Sequence, residues 1–360
     1  YSFAAVLSIF LLGIALGSSL FALLPASRVG RLGPSHVGGL LLLGALTATA
    51  SLLLLGSPPL LFIYLFSWTG GEFAQVLALQ LSVVALLIGP TCLVMGLLFP
   101  TIHQVYGHRD ASLGHQVGQF YSANTFGCIV GALVAGFFFI PQLGTQGTLQ
   151  VGVGAQLLAG MIFLGWKGRL LCSASALCAL LLPTWNPGLM AAGSGVYTDS
   201  QQTVTLEKLK EELWLPPTFY KDGLSTTVSV HVGAPGRMTV RVNGKVDASL
   251  IQTDRQTMYL AGYLGGLFVE RPKRAAVIGL GSGMTLEALS HLPSLETIEC
   301  AELEPAMLEA NRFWSGYNGH VLKDPRVQVR LTDGRTMLQA TSQPYDLIVS
   351  EPSNPWIAGV

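Results

Sequence analysis

The sequence has 360 residues, half of them hydrophobic, with 20 basic and 20 acidic residues. That balance averages two materials. Through Tyr197 the only charged residues are Arg28, Arg31, Glu72, Arg109, Asp110, Lys167 and Arg169, leaving 15 basic and 18 acidic residues from Asp199 onward. An apolar first half reads as a membrane protein and a mildly acidic second half as a soluble domain, and the lack of a basic run argues against nucleic acid as a partner.

Uncharged apolar stretches at 3–26, 37–56, 74–100, 117–140, 149–166 and 170–184 give about six transmembrane spans, so residues 1–184 are expected to form a multi-pass α-helical membrane domain in a lipid bilayer. No basic n-region precedes the first stretch and more spans follow, which sets it apart from a signal peptide. The chain opens on Tyr1 rather than methionine and reads as a fragment. Arg28 and Arg31, then Arg109, then Lys167 and Arg169 fall in alternate loops and share one face, the cytoplasmic one by their charge. Six crossings place the soluble domain opposite that face. Substrate supply favours the cytosol for it, which takes one further crossing, such as "LLFIYLFSW" at 61–69.

Within 121–138, Asn124 and a ladder of small residues suit close helix packing. His103, His108 and His115 read as loop histidines. The five cysteines form no ligand-spaced cluster and are expected as buried reduced thiols, so no metal is called for.

Residues 185–224 form a linker that carries a short amphipathic helix at 205–214, "TLEKLKEELW". In 225–253, "TTVSVHV" and "RMTVRVNG" alternate apolar and polar residues around "GAPG", a β-hairpin pattern with a second turn at Asn243–Gly244. A helix begins near Asp254 and opens the last region, 254–360. There, strands at 275–280, 297–302, 327–332 and 345–350 alternate with helices at 283–291, 305–315 and 334–340. Such alternation predicts a parallel α/β sheet of Rossmann-like type. Four strands are fewer than a doubly wound domain usually has, so this domain is read as incomplete at its C-terminus.

Open parallel sheets bind ligands beyond the carboxyl ends of their strands, and each strand here ends on a group that fits. The first is followed by Gly279, Gly281, Ser282 and Gly283 in "GLGSGM". A dinucleotide fingerprint would place glycine at Met284, so the turn suits a nucleoside and its attached chain better, although steric need alone explains glycines in a turn. The second strand ends at Glu302, 23 residues beyond Gly279, near the spacing at which an acid accepts from both ribose hydroxyls. The third ends at Asp333–Gly334, where the carboxylate can accept from an exocyclic amine or cap the next helix. The fourth ends in "VSEPSNPW", which supplies Glu351 as a candidate base and Asn354 beside it.

Taken in order, "VNGKVDASLIQTDRQTMYLAGYL", "VIGLGSGM", "AELEP", "DPRVQVRLTDGR" and "YDLIVSEPSNP" resemble spermidine synthases. They are closest to the branch in which a synthase domain follows transmembrane helices. The resemblance covers roughly 225–360. It implies an S-adenosylmethionine-methyltransferase-type fold and transfer of an aminopropyl group to a di- or polyamine. Decarboxylated S-adenosylmethionine would be the co-substrate, methylthioadenosine the product, and no cofactor tightly bound. It also implies a possible homodimer. By resemblance Gly279, Gly281, Ser282, Gly283, Glu302, Asp333 and Gly334 hold the nucleoside. Asp247, Asp254, Tyr259 and Asn354 line the amine side, and Glu351 stands in for the family's catalytic aspartate. Ser282 and Asn354 replace acids of the family, so the nucleoside half is kept and the amine half altered. A methyltransferase on the same fold, and a polyamine sensor or transporter, are the competing readings.

Overall fold

A computed structural model describes residues 2–56, 60–61, 64–65, 72–107, 113–193, 216–233 and 236–350. Contacts divide it into two units, one holding the described residues up to Trp185 and the other those from Asn186 onward. The predicted crossing at 61–69, His108, the helix at 205–214, Glu351 and Asn354 all lie in whole or in part outside the described residues.

The first unit is helical: α1 (Ser2–Ala22), α2 (Pro34–Leu55), α3 (Phe73–Tyr106), α4 (Leu113–Val134), α5 (Ile140–Phe163) and α6 (Trp166–Leu180). Among the described residues four helical stretches are long and apolar enough to cross a bilayer, Ala4–Ala22, Pro34–Leu55, Ala74–Tyr106 and Gly114–Phe163. The predicted spans 117–140 and 149–166 share the last of these. A π-helical turn at Ala135–Phe139 joins α4 to α5, and Gly144 at φ 71° breaks the helix beyond it. Pro141 donates no N–H to the preceding turn, which is the kind of fault a π-turn absorbs. The stretch predicted at 170–184 falls on α6, whose 15 residues are shorter than a spanning helix.

Close helix contact occurs where α1 meets α3, not along 121–138. A Cβ on Gly17 would lie 2.2 Å from the Leu93 carbonyl oxygen, and one on Gly96 would lie 2.3 Å from that of Ile14. Gly127, Gly131 and Gly136 meet nothing within 4 Å, and α4 is exposed along most of its length. Polar ties hold α2 to its neighbours. Thr91 donates to Thr47 at 3.1 Å, Ser51 donates to the Leu87 carbonyl, and the Gln156 amide donates to the Leu41 carbonyl at 3.1 Å. Cys92, Cys172 and Cys300 are buried as expected, whereas Cys128 and Cys178 are exposed.

The second unit contains two sheets. β1 (Phe219–Asp222), β2 (Thr227–Val232), β3 (Met238–Val242) and β4 (Lys245–Ser249) pair antiparallel in sequence order. The β3–β4 turn is tight because Asn243 and Gly244 both sit at positive φ, 50° and 80°, the pair of conformations a two-residue hairpin favours. Helix α7 (Gln252–Phe268) leads to β5 (Arg274–Ile278), α8 (Met284–Ser290), β6 (Thr297–Glu302), α9 (Pro305–Asn311), β7 (Val327–Leu331), α10 (Gly334–Ala340) and β8 (Leu347–Ser350). These strands form a parallel sheet in the order β7-β6-β5-β8. The order reverses beside β5, the kind of point at which such sheets hold ligands.

One core joins both sheets. Val228, Val230, Val240 and Ala248 of the antiparallel sheet pack in the same cluster as Ala275, Val277, Ile298 and Leu286. The other face of the parallel sheet is covered around Ala276, Ala301 and Met337. Burial on both faces makes β5 and β6 nearly continuous apolar runs.

Candidate active site

A cleft of about 260 Å³ opens at the carboxyl ends of β5 and β6. Its walls include Gly279, Gly281 and Ser282 on one side, Glu302 and Glu304 at the end of β6, and Val242, Asp247 and Ala248 from the β3–β4 hairpin. Ser225, Thr226, Met258, Leu303 and Met307 complete it.

The glycine turn is a backbone structure. Gly279, Gly281 and Gly283 take φ of 95°, 48° and 80°, a region that L side chains enter only with strain. A Cβ at Gly281 would meet nothing within 4 Å, so that residue leaves the backbone bare toward the cleft. A Cβ at Gly283 would lie 2.7 Å from Nδ2 of Asn318. That amide donates to the Ser282 carbonyl at 2.8 Å, and the Asn311 amide donates to the Gly281 carbonyl at 2.9 Å. Two buried asparagines therefore fix the turn from behind. Ser282 turns its hydroxyl inward, donating to Sδ of Met258.

Glu302 is buried and bridges the turn to its own strand end. Its Oε2 accepts from the Leu280 N–H at 2.9 Å and Oε1 from the Glu304 N–H at 2.8 Å. Each oxygen keeps a second lone pair, so both can still accept from hydroxyls. Asp333 caps α10, accepting from the Thr336 N–H at 3.0 Å, and is exposed at the end of β7 rather than in the cleft wall. Gly334 lets α10 pack on β5, since a Cβ there would lie 2.6 Å from Ile278.

The amine-side candidates separate. Asp247 reaches the cleft through a β-bulge: Val240 pairs with Ala248 and Arg241 with Val246, leaving Asp247 as the extra residue. A bulge of this kind re-aims a side chain. Asp254 stands in the first turn of α7, accepts from the Ser249 hydroxyl and is absent from the cleft wall. Tyr259 is not brought to the cleft either. Its hydroxyl donates to Glu287 at 2.5 Å, and it lines a separate groove along α7 with Arg255 and Tyr263. Burial and then Glu287 push that phenol up to about 12. The neighbouring Met258 faces the cleft instead, because consecutive helical residues point to different sides.

Glu304 escaped the sequence reading. It is 4% exposed and lines the cleft. Its Oε2 accepts from the N–H and hydroxyl of Ser225 and from the Thr226 N–H, and its Oε1 from the Ala306 N–H. Burial raises its carboxyl pKa, but these donors outweigh burial and hold it below the ordinary carboxylate value. Gly223 makes the contact possible, since a Cβ there would overlap the carboxylate. The available signal was the acid at an N-cap just before Pro305, which sequence reading assigns to capping alone.

Comparison with known proteins finds similarities in sequence over the second unit and beyond. The spermine/spermidine synthase domain matches residues 258–358. Putrescine N-methyltransferase 2 of Nicotiana attenuata is 32% identical over 88 residues, 24% of this chain and 24% of that protein. Polyamine aminopropyltransferase 1 of Streptomyces coelicolor is 25% identical over 315 residues, 84% of this chain and 56% of that protein. The latter alignment necessarily runs through much of the apolar half. A crystal structure of spermidine synthase with the transition state analogue AdoDATO aligns at 16% identity and a TM-score of 0.37, over 39% of this chain and 48% of that one. The chain thus spans about a quarter of the plant relative's length and about half of the bacterial one's. Through residues 258–358 it is similar to the spermine/spermidine synthase domain.

Proposed function

We propose that the protein is a membrane-anchored aminopropyltransferase that moves the three-carbon amine arm of an S-adenosyl sulfonium donor to a di- or polyamine. By family precedent that donor is decarboxylated S-adenosylmethionine. The single observation carrying this reading is the glycine turn held at positive φ beside Glu302, inside the segment that matches the synthase domain. The turn brings bare backbone to a nucleoside, and Glu302 offers its free lone pairs to the ribose hydroxyls. Asp333, outside the cleft wall, is assigned the adenine amine by resemblance alone.

In the reaction a neutral amine attacks the arm carbon bonded to sulfur. The new N–C bond forms as the C–S bond breaks, the electron pair stays on sulfur, and methylthioadenosine leaves. The amine proton passes to Glu351. That role is supported by the pairing of Ser350, the residue before Glu351, with Ile278, the residue before Gly279. The four long apolar helices support anchoring in a bilayer.

The full chain in detergent, offered both donors and a panel of amines, tests the reading. Methylthioadenosine release supports arm transfer. Release of S-adenosylhomocysteine would establish methyl transfer, the second reading, which the similarity to a putrescine N-methyltransferase favours. Glu351→Gln should lower turnover by about 10²–10⁴-fold while leaving methylthioadenosine binding intact.

A further inference from the structure

The glycine turn uses its N–H groups unevenly. That of Gly279 donates to the Ala301 carbonyl at 2.9 Å, that of Leu280 to Glu302, and that of Gly283 to the Leu280 carbonyl at 2.8 Å. Between them, the N–H groups of Gly281 and Ser282 meet no acceptor among the described residues. Ser282 lines the cleft and is only 2% exposed, and a buried N–H left unmet is costly.

Asn311 decides where the Ser282 N–H points. The Gly281–Ser282 peptide is trans, so its C=O and N–H lie in opposite directions. Its carbonyl is held from behind by the Asn311 amide at 2.9 Å, which turns the N–H away from the asparagine toward the open side of the turn. Asn311 is itself fixed. It is 1% exposed, and its Oδ1 accepts from the Asn318 amide at 3.2 Å. Reversing its amide would set oxygen against the Gly281 carbonyl and N–H against N–H. Asn318 plays a different part. It holds the Ser282 carbonyl at 2.8 Å, and the N–H of that peptide, on Gly283, is already bonded within the turn.

We propose that Asn311 is a positioning residue for the donor: through the Gly281 carbonyl it presents the Ser282 N–H to an acceptor atom of the nucleoside, such as the ribose ring oxygen. This rests on the nucleoside reading above and adds the opposite polarity to it. Glu302 accepts from hydroxyls, whereas the Ser282 N–H donates, so the cleft reads a ribosyl group from two sides. Asn311 touches no substrate and acts only by orienting the peptide.

Titration of the full chain in detergent with methylthioadenosine tests this, with Asn311→Asp as the variant. The new side chain keeps the shape of the old one. Ionised, it sets an oxygen against the Gly281 carbonyl and releases the peptide; protonated, its O–H donates there as the amide did. Burial raises the pKa of such a carboxyl. Affinity should therefore fall about tenfold at about pH 8.5 and recover as pH is lowered to about 6, while the wild type changes by less than about twofold. A loss that does not recover marks a merely structural role and overturns the inference, as does wild-type affinity throughout. If the variant folds poorly, residue-resolved hydrogen exchange on the wild type decides. Methylthioadenosine should slow exchange of the Ser282 N–H by about tenfold or more. An unchanged rate with the ligand bound overturns the inference and leaves the nucleoside reading standing. A wild type that binds no methylthioadenosine overturns that reading and the inference with it.

Discussion

The two walls of the cleft are made of different things. On the glycine-turn side the surface is backbone, shaped by three residues at positive φ and braced by Asn311 and Asn318. On the hairpin side it is side chain, Val242 and Ala248 with the Asp247 carboxylate that the bulge brings in. In the proposed chemistry, backbone shape would serve what every donor shares, the nucleoside. Side-chain charge suits what differs between donors and acceptors. Under the proposed reading, the first wall would hold the nucleoside and the second would set the choice of arm.

The contrast can be broken most severely at Glu304, which ties the Ser225–Thr226 turn to the end of β6. Glu304→Ala strands several buried donors and should cost about 3 kcal/mol in denaturant unfolding of the second unit. Its pH dependence has a definite sign. A carboxyl whose folded pKa is depressed adds stability above its unfolded value, and that contribution fades as pH falls through the folded one. The gap between wild type and Glu304→Gln should be full at neutral pH and should close below about pH 4.5.

Gly283→Ala comes next, at about 2 kcal/mol, since it combines left-handed backbone with a clash against Asn318. It should weaken methylthioadenosine binding without changing the ratio between donors. Gly281→Ala, with open space for its methyl, should cost about 1 kcal/mol from the backbone alone. A larger loss there than at Gly283 would contradict the bracing by asparagine. Smallest is Lys221→Ala, which removes the exposed Lys221–Glu309 pair and should shift stability by less than about 0.5 kcal/mol.

Much of the parallel sheet was legible because burial on both faces leaves strands as apolar runs between helical patterns. β6, β7 and β8 fall within the strands read from sequence, and β5 starts one residue earlier than read. The glycine turn was legible too, as was the acid at 302, because both follow from spacing. What escaped reading depends on long-range contact. Counting alternate residues back from Ala248 places Val246 inward and Lys245 outward, but the bulge at Asp247 reverses that parity and buries the lysine. Tyr259 illustrates the same limit on a helix, where one residue of register separates a cleft from the opposite groove. The small residues of 121–138 had the right spacing for close packing, but the partner faces belong to α1 and α3.

The uneven burial of the cysteines offers a native set of chemical reporters. Burial, with the Glu302 charge beside it, pushes the Cys300 thiol up to about 12, so it carries almost no thiolate at neutral pH and will not compete for reagent. Cys128 on α4 and Cys178 on α6 are exposed on their helices. An impermeant maleimide reaches such thiols only where the helix surface meets water, whereas a lipid-soluble one reaches them in either setting. Applied to sealed vesicles from each side in turn, the two reagents would test whether these helix surfaces face lipid and, if not, which compartment they face, with no substitution introduced.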